Sequence, residues 1–403
     1  MKRTLLFVYV LSLFVLIPAA NSQTYSILDL GPLQPAAINS WAQVAGTMNG
    51  EAYLWSPGRH AQSLGILPGG TASSALGLND RGVVVGIADG PVTVNGPDGP
   101  FTCTDALQGF EWTSSAGLQG MGLMVLGDTN PCEGTDFTNM YPSANAVNDL
   151  NQVAGTINWS GFTYVYGFNW KNPTDGMVVL PSPTGLDLFY PLTVTNAINN
   201  RNQMVGAAGC CIDLDHGHAL YWNHQVISDL GTLGGPDSNF EYYCSNARGI
   251  NDVDQIVGWS TTVAGLSDFA CTYASSGSPH AFFWTHSHGM QDLGTLPGDT
   301  MSMAYAINFF GQVIGTSGSS TMEPEFNGTQ YNGVEYGGVM SLEVVGHPFL
   351  WTQRDGMKDL NTLIPSTSGW VLNTATGINA WGQIVGSGVH NGETHGFLLT
   401  PRL

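Results

Sequence analysis

The stretch Ala247–Gly258, ARGINDVDQIVG, is followed by HAFFW at His280–Trp284 and QDLGTL at Gln291–Leu296, and variants of this trio recur from one end of the chain to the other. Such a repeat limits the fold before any single residue does. Each unit is one supersecondary element that must bury its apolar face against a neighbour. Aligned on one asparagine, the units fall at Asn39, Asn79, Asn148, Asn199, Asn251, Asn308 and Asn379, seven copies separated by 40, 69, 51, 52, 57 and 71 residues.

After each asparagine comes a valine-rich segment closing on glycine, at Gly46, Gly86, Gly155, Gly206, Gly258, Gly315 and Gly386. A third segment follows: AYLW at Ala52, GFEW at Gly109, GFNW at Gly167, ALYW at Ala219, AFFW at Ala281, PFLW at Pro348 and GFLL at Gly396. A fourth reads QSLGIL at Gln62, SDLGTL at Ser228, QDLGTL at Gln291 and KDLNTL at Lys358, with blurred versions MVLGD at Met124 and MVVLP at Met177. Short β-rich runs bounded by turn residues are strands, so each unit supplies four. The residue three places after the asparagine is Gly82, Asn151, Asn202, Asp254, Gly311 or Gly382, with Ala42 the exception. Gly, Asn and Asp tolerate positive φ best, which is what a left-handed residue after a type I turn requires. The asparagine itself is expected to cap its own turn.

Seven units of four strands make either an open solenoid or a closed ring, and the termini decide between them. YSILDLG at Tyr25–Gly31 matches a fourth strand with no first three before it, while GFLLTPRL at the C-terminus is a third strand with no fourth after it. The simplest account is that the N-terminal strand completes the last sheet. The expectation is therefore an all-β, seven-bladed β-propeller of four-stranded antiparallel blades, which leaves no exposed sheet ends to cap. The Ala- and Gly-containing first strands suit the crowded axis, and the Trp of the third strand fits between sheets. Connections two-to-three and four-to-one carry the length variation and fall on one face.

HAFFW, QDLGTLPG, SDLGTLGG and GINDVDQIVG resemble the repeats of the HAF family of bacterial extracellular proteins, over nearly the whole chain and most closely in units five to seven. The resemblance implies export and a repeated β fold, and brings no catalytic residues with it.

With 10 Lys+Arg against 30 Asp+Glu, the chain carries a formal charge of -20, which argues against nucleic acid, whose binding needs clustered cations. Residues 1–22 read as a secretory signal: Lys2-Arg3, an apolar run from Leu5 to Ile17, and small residues before a cleavage site after Ser22 or, alternatively, Ala20. Residues 23–403 then form a single propeller domain, secreted or periplasmic, with no membrane span and expected to be a monomer. Six cysteines suit an oxidising compartment. Adjacent Cys210 and Cys211 would make a strained bond, so Cys103 is expected to pair with Cys132, and Cys210 and Cys211 with Cys244 and Cys271.

His218, His280, His347 and His395 open successive third strands, where Glu51, Gln108 and Tyr166 stand in the first units. A place accepting all these types reads as a structural hydrogen-bonding site. No catalytic residue, metal or cofactor is assigned, although Asp213, Asp215 and His216 in one loop hold donors for a divalent cation without the pattern of a calcium loop. Glu323 and Glu325 form a weak pair of candidate carboxylates. Trp159 and Trp259 follow second strands on the long-loop face and offer stacking platforms. With Asp213, Asp215 and His216 they make up the expected binding set of a scaffold that takes a glycan or protein on its long-loop face. The alternative is a carbohydrate-active hydrolase or lyase with acidic residues near the channel mouth.

Overall fold

Seven four-stranded antiparallel sheets follow one another along the chain in a computed structural model that describes residues 24–96, 99–123, 140–159, 165–171, 176–183, 192–209, 217–234, 244–262, 279–322, 329–331, 334–336 and 343–402. Each sheet is one unit of the repeat. Blade 5 is typical, with strands Ser245–Ile250, Ile256–Thr261, Pro279–Thr285 and Gly289–Asp292 paired in that order. Blade 7 takes Trp370–Ile378, Ile384–His390 and Glu393–Pro401 from the C-terminus and Tyr25–Asp29 from the N-terminus, with Tyr25 opposite Pro401 and Asp29 opposite Phe397. The molecule is thus a seven-bladed β-propeller closed by its first strand, as the unmatched termini require.

The repeat residues explain the local geometry. All seven residues at the third place after the asparagine have positive φ, including Ala42 at 58°, so turn conformation prevails over residue preference even there. Every first strand carries a bulge at the same place, between Ala247 and Gly249 in blade 5, which bends the innermost strand beside the axis. Glycine stands inside the second strand and does not close it, as third residue of Ile256–Thr261 in blade 5, because the neighbouring backbone is too near for a side chain. A Cβ at Gly258 would lie 1.9 Å from the carbonyl oxygen of Asn246.

The core occupies the spaces between blades. Between blades 4 and 5, Val205 and Tyr221 meet Ala247, Ile256 and Phe282. Between blades 6 and 7, Ile314 and Leu350 meet Trp370, Leu372, Phe397 and the N-terminal Tyr25. Apolar residues on both faces of each sheet are buried this way, as stacked repeats require.

Two details depart from the expected layout. The fourth strand of blade 2 is Gly117–Gly120, not the MVLGD segment at Met124, which lies outside the described residues. The third strand ends at Thr113, and Gly117, with φ of 71°, turns the chain straight back. Blade 6 adds a two-stranded hairpin, Thr329–Tyr331 with Val334–Tyr336, within its two-to-three connection.

Candidate functional site

The seven asparagines form a closed circuit around the axis. Asn251 shows the pattern: its Oδ1 accepts from the amides of Val253 and Gln255, its Nδ2 donates to Gln255 Oε1 at 2.7 Å and to the carbonyl oxygen of Asn308 in the next blade at 2.9 Å. Every other asparagine likewise donates to the next one's carbonyl, at 2.8–3.1 Å, and Asn379 returns to Asn39. All seven are buried. The expected turn cap is present, and the same side chain also ties blade to blade.

Inside this circuit lies an axial cavity of about 210 Å³, open on the short-turn face and lined by the asparagines with the residues on either side of them. The residue after each asparagine also lines the mouth, and it is Ser40, Phe309 and Ala380 on blades 1, 6 and 7. On blades 2 to 5 these are Asp80, Asp149, Asn200 and Asp252, linked in an arc. Asp80 Oδ1 accepts from the Ser40 amide, Asp149 Oδ1 from the Asp80 amide, Asn200 Oδ1 from the Asp149 amide and Asp252 Oδ1 from the Asn200 amide, at 2.7–2.8 Å. The Asn200 Nδ2 donates to both Asp149 Oδ2 and Asp252 Oδ2, at 2.9 and 3.0 Å.

On blades 6, 7 and 1, Phe309 lines the cavity, and Phe310, Trp381 and Trp41 stand one residue further along the turns. Phe309 is 52% exposed, Phe310 71%, Trp381 71% and Trp41 70%. The two phenyl rings meet edge to face at 5.5 Å. Each indole is anchored at its edge: Trp381 Nε1 donates to the Ser40 carbonyl at 3.0 Å and Trp41 Nε1 to that of Asp80 at 2.9 Å. Their rings lie over the next blade's turn and remain open to solvent. Clustered exposed aromatic side chains of this kind mark interaction sites. Turn chemistry alone does not call for these residues. The signal in the sequence is an apolar residue two places after the asparagine in five of seven units: Trp41, Leu150, Val253, Phe310 and Trp381.

The HAF and DLG motifs meet in space. His218 Nδ1 lies 2.9 Å from Asp229 Oδ2, His280 Nδ1 2.8 Å from Asp292 Oδ2, and His395 Nδ1 3.0 Å from both Asp29 oxygens. In each case an aspartate oxygen also accepts from the amide two residues on, Gly231, Gly294 or Gly31, at 2.7 Å. Burial pushes the Asp292 carboxyl up, but the His280 ring and the Gly294 amide outweigh it and hold it below its ordinary value. Asp29 is likewise held low by Gly31, His395 and His390 against its burial. The Asp29 carboxylate correspondingly raises His395. Blade 6 differs: His347 turns toward Asp299, at 3.6 Å, while Asp359 caps the 3-10 turn Leu360–Thr362 through the Asn361 amide.

The long-loop residues fall elsewhere. Trp259 is 2% exposed and packs with Cys244, Met303 and Val344, so it offers no open ring face. Trp159 ends its strand opposite Met140, and its side chain is outside the described part. Asp213, Asp215, His216, Glu323 and Glu325 lie outside the described residues, as do Cys132, Cys210, Cys211, Cys271 and the segment 1–22. Cys103 and Cys244 are buried in blades 2 and 5. We propose the expected cysteine pairing for test by non-reducing peptide mapping, where free thiols throughout would refute it.

No protein-family model matches the chain and no curated protein matches it, so the HAF resemblance rests on the motifs quoted above. Among solved structures, an oligogalacturonate lyase in complex with manganese matches at 10% identity and a TM-score of 0.48, over 94% of this chain and 96% of that one. A catalytically inactive virginiamycin B lyase from Staphylococcus aureus with quinupristin matches at 10% identity and 0.46, over 93% and 99%. YCF48 bound to D1 peptide matches at 7% identity and 0.45, over 95% and 96%. At these values the likenesses carry no functional argument.

Proposed function

We propose that this protein is an exported, non-enzymatic binding scaffold that takes a glycan on its short-turn face, across the axial mouth. The observation that carries this reading is a set of exposed aromatics, Phe309 at the cavity and Phe310, Trp381 and Trp41 on the turns beside it, next to the arc of Asp80, Asp149, Asn200 and Asp252. Aromatic rings with anchored edges offer flat apolar faces at little entropic cost. Carboxylates accept hydrogen bonds from hydroxyls, and charge-assisted bonds are the stronger kind. A sugar ring has both an apolar face and a rim of hydroxyl donors, so it matches the two sets together.

The long-loop face, which the unequal connections favoured, offers less. Its one described candidate, Trp259, is buried. The acidic arc also bears on a carbohydrate-active enzyme. Asn200 holds Asp149 and Asp252 as hydrogen-bond acceptors, an arrangement suited to binding more than to proton transfer.

A glycan array, with hydrolysis and lyase assays on any hit, tests the proposal on the wild type and a Trp41→Ala/Trp381→Ala variant. The expected result is binding without turnover, weakened at least about tenfold in the variant, since stacked aromatic anchors dominate such interfaces. Turnover of a bound sugar, capture of a protein with no glycan bound, or equal binding by the variant would each overturn it.

A further inference from the structure

Blade 7 joins its second and third strands by a two-residue turn, Asn391 with φ of 53° and Gly392 with φ of 88°. Asn-Gly favours this turn because both residues must take positive φ. The turn fixes His390 opposite Glu393 and Gly388 opposite His395, and the N-terminal strand sets Asp29 opposite Phe397. Side chains alternate along a strand, so His390, His395 and Asp29 project from the same face of the sheet.

They converge there. His390 Nδ1 lies 3.1 Å from Asp29 Oδ2, and His395 Nδ1 lies 3.0 Å from both Asp29 oxygens. One ligand atom from each residue falls within 4.8 Å of the others, which makes this the one such group of three among the described residues. Trp370 stacks on His390 at 4.6 Å and 6°, fixing one ring. All three side chains are between 22% and 37% exposed, within reach of an ion from solvent.

We propose that Asp29, His390 and His395 bind a divalent transition-metal ion of the zinc class, which clasps the N-terminal strand to the C-terminal hairpin. Two imidazoles and a carboxylate are the donors that zinc takes, whereas calcium and magnesium take oxygen. Bonds of about 2.0–2.1 Å at tetrahedral angles place ligand atoms roughly 3.3 Å apart, so the observed nitrogen-to-oxygen spacings need only small adjustment. Ligation through Nδ1 leaves the ring proton on Nε2, and a doubly protonated ring releases one proton to solvent. Glu393 Oε2 lies 3.5 Å from His395 Nε2, in place to receive that N–H and orient the ring, as outer carboxylates do for zinc histidines. A fourth position stays open to water. The pair His280–Asp292 has one imidazole to one carboxylate, and among the described residues only the blade 7 group brings three such ligands together.

The test is calorimetric titration of the untagged protein with zinc chloride, with thermal unfolding in zinc and in chelator. The expected result is one-to-one saturable binding and a Tm that rises with zinc, as any ligand selective for the folded state produces. His390→Gln is expected to weaken binding at least about tenfold and His280→Gln to leave it unchanged. An unaltered Tm of His390→Gln in chelator separates lost ligation from lost folding. If that Tm falls, amide exchange decides: zinc must slow exchange across Ser26–Asp29 in the wild type. Absence of saturable binding, equal affinity in His390→Gln, or exchange at Ser26–Asp29 indifferent to zinc overturns the proposal.

Discussion

The side-chain amide of Asn379 donates to the backbone carbonyl of Asn39, 2.9 Å away and 340 residues earlier in the chain. This bond completes the circuit of seven asparagines and joins the last blade to the first. Ring closure is therefore made twice, once at the axis by this contact and once at the rim by the N-terminal strand in blade 7.

Asn251→Ala is expected to destabilise the protein by about 2–3 kcal/mol, because it leaves two turn amides without their acceptor and takes one of two donors from the buried Asn308 carbonyl, which keeps the Gly311 amide. Asn251→Asp keeps the Oδ1 acceptor and loses the Nδ2 donor, so it should remain destabilised. Urea unfolding measures both. The neighbouring exposed Val253→Ala should stay within about 0.5 kcal/mol of wild type.

Gly258→Ala should cost more than about 3 kcal/mol, or prevent folding, since its Cβ would collide with backbone and not with a yielding side chain. Soluble yield and Tm report the outcome. A Tm near that of wild type would mean that the strands can separate at this point.

Tyr25→Ala tests the rim closure. Tyr25 is fully buried in the core shared by blades 6 and 7, and its amide donates to the Leu363 carbonyl at 2.8 Å. Truncating a buried aromatic of this size costs about 3–5 kcal/mol. Hydrogen exchange should show the loss first in Glu393–Pro401, the strand it pairs with.

The His280–Asp292 pair should contribute to acid stability. The folded carboxyl of Asp292 sits below its ordinary value, so its contribution is fully present above the unfolded value of about 3.9 and is lost as pH falls through the lower folded value. Comparing Tm against pH for wild type and Asp292→Asn should give a gap that is constant above that range and narrows below it. A gap that widens in acid would reverse the assigned direction.

The repeat made much of this fold legible. The asparagine turn and the unmatched terminal strands each answer to local chemistry, so positive φ at Asp254 or Gly311 could be read before any coordinate, whereas the second strand runs on past the glycine expected to close it. The fourth strand of blade 2 could not, because GLQG at Gly117 has weak strand character and only the tight turn after Thr113 places it. Trp259 looked like a platform at the end of a strand, yet its burial depends on Met303 and Val344 from the next blade. His395 read as one of four equivalent histidines, and its distinction comes from His390 and Asp29, one from across a hairpin and the other 366 residues away.

The sequence alone determined the number of blades and the way the termini meet, because these follow from a periodic pattern of strand and turn residues acting over a few positions. Tertiary structure decided what the periodic pattern could not carry. It set Phe310, Trp381 and Trp41, exposed, on the turns of blades 6, 7 and 1 and Asp80, Asp149 and Asp252 around the axial mouth. It also brought Asp29 to His390 and His395. The reason is geometric: closing a ring makes neighbours of residues that lie far apart in the chain, and a local rule has no term for that.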